Sequence, residues 1–291
     1  SEWLRQTYGD EITAAFAALK RAADPHNLLN PGKIVAAPPV DENLRYGAGY
    51  QAAAWSPKLH FEGGLSAAIE QCNGQGVCRK QSGVMCPSFQ ATREEMQSTR
   101  GRANLLRALI SSPLSPRERG RGEGKGEGAV KAALDLCLAC KGCKAECPSS
   151  VDMAKLKYEF QNHYYQTHRR PLRDYLFGYI NQLVPLGAPF GAVINYFGNW
   201  SVVRRLAGLF GITEHRPLPS FGRAGFKPPV SLSPVERVIL LPDTFTRYFE
   251  PEIESAALRV LSALNITPLP LPTLGAGRTL LSKGFLEPAR R

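Results

Sequence analysis

Four of the chain's seven cysteines are packed into the run Cys137-x-x-Cys140-x-x-Cys143-x-x-x-Cys147, and Pro148 follows the last of them. Two intervening residues let successive thiolates turn inward around one compact inorganic core. Three such thiolates can each bind one iron of a cubane. In two-cluster ferredoxins the fourth cysteine, followed by proline, serves the other cluster. Structural zinc favours two separated Cys-x-x-Cys pairs, or cysteine mixed with histidine, so this spacing favours iron–sulfur chemistry. Gly142 lets the backbone pass close to such a core, and N–H groups there donate to sulfur and adjust its potential.

The other three cysteines form Cys72-x5-Cys78-x7-Cys86, with Pro87 next. That spacing is weak alone, but Cys86-Pro87 repeats Cys147-Pro148. In a crossed arrangement Cys86 completes the set of Cys137, Cys140 and Cys143. Cys72, Cys78 and Cys147 then form a three-cysteine set, which suits a three-iron cluster, a four-iron cluster with another ligand, or no cluster. In an uncrossed arrangement Cys137, Cys140, Cys143 and Cys147 hold one cluster by themselves. Both arrangements stay open at the level of sequence. His26, His60, His163, His168 and His215 have no ligand or triad spacing. No glycine-rich phosphate loop lies between a strand and a helix, and no nucleophile stands beside a base.

The thiolates need a scaffold and a reducing setting. The 291 residues, with a net charge of +11, make one large domain or two small ones. The basic balance suits an acidic partner or an anionic surface. No Lys/Arg run is interleaved with aromatics and no helix-turn-helix is evident, so nucleic acid is not an expected partner. Ser1-Glu2-Trp3-Leu4-Arg5 lacks the apolar core of a signal peptide. The expected location is cytoplasmic, where clustered cysteines serve metals or redox chemistry rather than disulfides.

Along the chain, Ile12, Phe16 and Leu19 give 10–23 a helical period, which Asp24-Pro25 ends. Residues 36–64 are rich in proline and glycine and are expected to be a linker. A helix is expected over about 92–110. Residues 111–128, with their Gly-Arg-Gly-Glu-Gly-Lys repeats, are expected to be a disordered insertion. A helix from Val130 leads into the second cysteine group, and another starts near Val151-Asp152-Met153. Residues 175–203 carry no charged side chain. Glycines and prolines interrupt them, so two short buried or interfacial helices with peripheral membrane contact are expected rather than a span. Val238-Ile239-Leu240-Leu241 reads as a buried strand, and Pro251 opens a helix at its first position.

Several motifs together resemble a known assembly. Leu28-Leu29-Asn30-Pro31-Gly32-Lys33-Ile34, after Asp24-Pro25, resembles the last turn of the FAD-linked oxidase C-terminal domain. The stretch from Cys72 to Cys86, then Thr99-Arg100-Gly101-Arg102-Ala103-Asn104, then Cys137 to Ala154, resembles the ferredoxin-type module fused after that domain. Leu241-Pro242-Asp243-Thr244-Phe245 resembles the start of a cysteine-rich domain of heterodisulfide-reductase type, whose Cys-Cys-Gly-Arg motif corresponds here to Gly275-Ala276-Gly277-Arg278. The whole is similar to FAD-linked D-lactate or D-2-hydroxyglutarate dehydrogenases.

The resemblance implies a mostly α fold: an α-helical ferredoxin-type module followed by a truncated α/β piece. Its implied segments are 1–35, the tail of the oxidase domain; 36–64, a linker; 65–165, the iron–sulfur module; 166–232, a helical connector; and 233–291, a cysteine-rich-type domain without its cysteines. It implies one [4Fe–4S] cluster, room for a second, and FAD in a preceding domain or a partner subunit. No FAD-binding or catalytic residue is expected in this chain. Electrons from a D-2-hydroxy acid would leave FAD singly through the cluster to a quinone, cytochrome or flavoprotein, at a location cytoplasmic or peripheral on the inner face of the cell membrane. The alternative is a non-catalytic module that binds a metal or cluster for interaction alone.

Overall fold

The computed structural model describes residues 2–40, 42, 50–52, 55–111, 116–222, 237–270 and 277–290. It divides into two compact units, Ser1–Ala53 and Ala54–Arg291.

In the first unit α1 spans Glu2–Ala23 and kinks at Gly9. Tyr8 and Phe16 meet edge to face at 5.8 Å, while Ile12 and Leu19 are exposed within the unit. The helix ends where the Asp-Pro pair requires. Asp24 then organises the turn, because its carboxylate accepts from Leu28 N at 2.9 Å and Leu29 N at 2.8 Å and pairs with Lys20. Lys20 first, and then these N–H groups, hold its pKa at about 2.

The second unit is built on helices. In order they are α2 (Gly64–Glu70), α3 (Pro87–Thr92), α4 (Thr99–Ile110), α5 (Pro116–Asp135), α6 (Gly142–Glu146), α7 (Met153–Thr167), α8 (Leu172–Gly178), α9 (Ile180–Gly187), α10 (Gly191–Gly198) and α11 (Ser201–Leu209). The core lies where α2, α4, α5 and α7 meet. It is filled by Ile69, Ala103, Leu106, Ile110, Val130, Leu134, Leu156 and Phe160, all nearly inaccessible to solvent. Each large side chain so buried contributes about 1.5–3 kcal/mol. The cysteine loops leave this core at the ends of its helices.

Two expectations about helices need correction. The helix expected over 92–110 is broken. Arg93 takes a left-handed conformation (φ 62°) that ends α3, a 3-10 turn covers Glu95–Gln97, and α4 starts only after Ser98. Ser98 caps α4 by accepting from Gly101 N at 2.9 Å. A Cβ at Gly101 would lie 2.0 Å from the Glu95 carbonyl oxygen, so only glycine lets the two segments pack this closely. The segment expected to be disordered continues α5 back to Pro116; residues 112–115 lie outside the described ones. Val130, Ala133 and Leu134 anchor the helix in the core. Once a helix is anchored, each further residue adds one hydrogen bond per residue fixed.

The uncharged stretch 175–203 wholly contains two short helices, α9 and α10, and also takes in the end of α8 and the start of α11. Glycines at 178, 187 and 198 stand at or beside their ends. Many of their apolar side chains are exposed rather than buried, including Leu186, Phe190, Tyr196 and Leu209. Among the described residues no helix is long and apolar enough to cross a membrane.

The C-terminal piece is a β-α-β unit. Strand β1 (Arg237–Leu240) runs parallel to β2 (Thr267–Pro270) with Ile239 opposite Leu269. The crossover that a parallel pair needs is supplied by α12 (Thr244–Tyr248) and α13 (Pro251–Ala263). Pro251 stands at the start of α13 as its fixed φ suits. After β2, α14 (Arg278–Ser282) and α15 (Leu286–Arg290) complete the described chain. Phe285, between them, packs on Tyr175 and Tyr179 of the connector. The fold is mostly α, with two strands among the described residues.

Candidate metal centre

The seven cysteines converge on two recesses at the start of α4. Cys137 leaves the end of α5, its N–H donating to Leu134 O at 3.1 Å. The chain then turns through Ala139 and Lys141, both left-handed (φ 52° and 62°), which leaves Cys140 exposed between them. Cys143 is buried in α6. Cys86 comes from a separate segment and stands at the N-cap of α3, with Pro87 at the first helical position. Cys86, Cys137, Cys140 and Cys143 line one recess, walled by Leu138, Met153 and Ala154. Cys72, Cys78 and Cys147 line the other, with Gln75 and Arg100. Thr99 lines both. Cys147 thus faces away from its sequence neighbours, in the crossed pattern of the two patterns that the spacing left open.

Helix α4 reaches both recesses. The backbone N–H of Arg100 donates to Cys78 Sγ at 3.3 Å. The guanidinium of Arg102 donates to Cys86 Sγ at 3.3 Å, and also to Ala133 O, Ser88 Oγ and Gln97 Oε1 at 2.8, 2.8 and 3.0 Å. Arg102 is 1% exposed. These four partners are a thiol and three neutral oxygens, with no carboxylate among them. A buried cation is costly without a counter-charge, and a thiolate-ligated cluster supplies net negative charge beside it. Four thiols around one recess, and a buried guanidinium aimed at one of them, fit an iron–sulfur cluster. Lys157 is also buried, donates to Cys137 O at 2.6 Å, and has its pKa lowered by that burial.

The thiols differ. Burial pushes Cys143 up to about 11 and raises Cys78. Burial also opposes ionisation of Cys86, yet the Ser88 hydroxyl and Arg102 outweigh it and bring Cys86 below the usual thiol value. Binding a cluster must therefore remove a tightly held proton from Cys143. Among the described residues no three His, Cys, Asp or Glu side chains are grouped as a single metal ion would require.

Sequence reasoning missed Arg102, Lys157 and Glu146. Arg102 has a legible signal, since it falls at i, i+4 and i+8 with the buried Leu106 and Ile110 and is a charge on an apolar stripe. Glu146 has none. Its carboxylate accepts from Val84 N at 2.7 Å and Met85 N at 3.2 Å and pairs with Lys80, tying the approach to Cys86 onto α6. Gly142 serves this same junction. A Cβ there would meet Val84 Cγ1 at 2.8 Å, so the glycine makes room for the Val84 segment.

Lys80 first, then the two N–H groups, hold Glu146 at about 2 against an ordinary 4.5. A depressed carboxyl pKa contributes stability above about 4.5, which is lost as pH falls toward 2. Glu146→Gln is thus expected to lower the thermal midpoint of the loaded protein at pH 7. The difference should be equally large at pH 5, and a difference that fades between these pH values would contradict the tie.

Residues 71–152 match the family model described as 4Fe-4S dicluster domain. This region is an iron–sulfur domain. Residues 1–34 match the family model described as FAD linked oxidases, C-terminal domain. The chain is similar to D-2-hydroxyglutarate dehydrogenase of Escherichia coli (strain K12), 27% identical over 99% of this chain and 33% of the relative. It is 29% identical to the enzyme of that name from Pseudomonas putida, over 98% of this chain and 33% of the relative. The glycolate oxidase iron-sulfur subunit of Escherichia coli is 26% identical over 71% of this chain and 46% of the relative. The chain spans about a third of the length of the D-2-hydroxyglutarate dehydrogenases it matches. No solved structure matches it.

Proposed function

We propose that this chain is the iron–sulfur electron-transfer part of a flavin-linked oxidoreductase that oxidises a D-2-hydroxy acid of the D-lactate or D-2-hydroxyglutarate class. Cys86, Cys137, Cys140 and Cys143 hold a [4Fe–4S] cluster. The observation that carries this reading is that four thiols from separate segments line one recess, against a buried guanidinium with neutral partners. When bound, the cluster supplies one-electron acceptance, which a flavin loaded with two electrons needs.

The chain's own residues set the conditions. Cys143 gives up its proton on loading. Arg102 offsets the negative charge that one-electron reduction adds. The buried Met153 and Ala154 keep water from the inner wall of the recess. The exposed Cys140 edge is where electrons enter or leave with the shortest path to a partner.

FAD belongs to a domain or subunit outside these residues, and the match of residues 1–34 to FAD linked oxidases supports that pairing. The acceptor is a quinone, cytochrome or flavoprotein. The segments 1–35, 36–64, 65–165, 166–232 and 233–291 remain our division of the chain. We place the chain in the cytoplasm, and exposed Leu186, Phe190, Tyr196 and Trp200, with Arg204 and Arg205 following in α11, support peripheral contact with the inner face of the membrane. The test is an anaerobic reductive titration of the loaded protein followed by electron paramagnetic resonance. Reversible one-electron reduction of a cluster supports the reading, and its absence sinks it.

A further inference from the structure

The two cysteine loops share one spacing and one pattern of left-handed positions, and one position differs in chemistry. Cys72-x-x-Gln75-x-x-Cys78 has the spacing of Cys137-x-x-Cys140-x-x-Cys143. The backbones agree at the two telling positions. Gly74 and Ala139, just before the middle residue, are both left-handed (φ 82° and 52°). Gly76 and Lys141, just after it, are left-handed too (φ 83° and 62°), and each caps the turn or helix that carries the next cysteine. Cys78 and Cys143, at the ends of the loops, are both buried, and Gln75 and Cys140, in the middle, are both exposed. Gln75 therefore stands where the other loop has a thiolate, and it lines the recess of Cys72, Cys78 and Cys147.

We propose that this second recess holds a three-iron [3Fe–4S] cluster on Cys72, Cys78 and Cys147, with Gln75 at the missing corner. The inference rests on the proposed reading of the first recess. Each of the three irons takes one thiolate. The neutral amide of Gln75 carries no charge to offset a fourth ferrous ion, so the corner beside it stays without iron. Held by these three thiolates, such a cluster would supply a one-electron site, between [3Fe–4S]+ and [3Fe–4S]0. Gln75→Cys completes the loop. The three-iron core in its [3Fe–4S]0 state plus one ferrous ion gives a [4Fe–4S]2+ core, and the new thiol releases its proton on binding that iron.

The test uses the full chain, isolated and kept without oxygen. Wild type should contain about seven irons and about eight sulfides. It should show a paramagnetic signal in the oxidised state, where a four-iron cluster is silent, and that signal should survive reductant and added ferrous iron followed by re-oxidation. Gln75→Cys, treated alike, should lose the oxidised-state signal, rise to about eight irons, and gain a second four-iron signal on reduction. Cys72→Ser should lose only the three-iron signal, and Cys140→Ser only the four-iron one. Wild type with about eight irons and no oxidised-state signal overturns the proposal, as does a count of about four or a Gln75→Cys variant unchanged in both readouts. In those cases the first cluster stands. A protein with no iron overturns both readings.

Discussion

Cys140→Ser is expected to strip the four-iron cluster, lowering the iron content by about four per chain. The side chain is exposed, so the exchange of sulfur for oxygen opens no cavity in the core and leaves Leu106, Leu134 and Phe160 packed as before. The loss would come from ligand chemistry, because a serine hydroxyl is a poor replacement for a thiolate on iron. Cys147→Ser is the matching control. It lines the other recess, so it should spare the four-iron signal, whereas an uncrossed ligand set predicts that the same variant loses it. Retention of full iron and sulfide in Cys140→Ser contradicts the ligand assignment.

Arg102→Leu is expected to move the four-iron midpoint to more negative potential by on the order of 100 mV. A unit charge about 4 Å from another is worth about 4 kcal/mol at an effective dielectric of about 20. The effect falls with distance into the cluster, and for one electron about 59 mV corresponds to a tenfold change in equilibrium. Reduction adds a negative charge, so removing the cation opposes it. The same substitution strands Ala133 O and Gln97 Oε1, which Arg102 now satisfies, and each buried group left unpaired costs about 1–3 kcal/mol. A lower melting point alone would fit a purely structural role. Arg102→Lys separates the two effects, since it keeps the charge and loses the planar fork. It should restore most of the potential and less of the stability. A folded Arg102→Leu variant with an unchanged midpoint contradicts electrostatic tuning.

The spacing of Cys137, Cys140 and Cys143 made the chemistry legible because ligand geometry is local: two residues between thiols nearly fix where they point. The partner of that set was not legible. Whether Cys86 or Cys147 completes it depends on how α3 and α6 meet α4, which is a tertiary fact. The break before α4 shows the same limit. Arg93 and Ser98 divide a stretch that reads as one helix, and the close approach of Gly101 to the Glu95 carbonyl is what enforces the division. Glycine-rich 116–128 failed in the opposite direction, because composition measures local propensity while Val130 and Leu134 anchor the helix from one end. Arg102 was readable in principle as a charge among Leu106 and Ile110. Glu146 was not, since its partners Val84 and Met85 lie far off in sequence. Gly275 and Ala276, which stand where the related domain has cysteines, lie outside the described residues.

Whether Cys86, Cys137, Cys140 and Cys143 hold a redox-active cluster is decided by an oxygen-free redox titration of the whole chain, with iron and sulfide counted and the paramagnetic signal followed at each potential. The protein should be brown, with a four-iron signal that appears on uptake of one electron, vanishes on re-oxidation, and is missing in Cys140→Ser. Colourless, iron-free material, or a metal content that never changes its spin state across the titration, would contradict it.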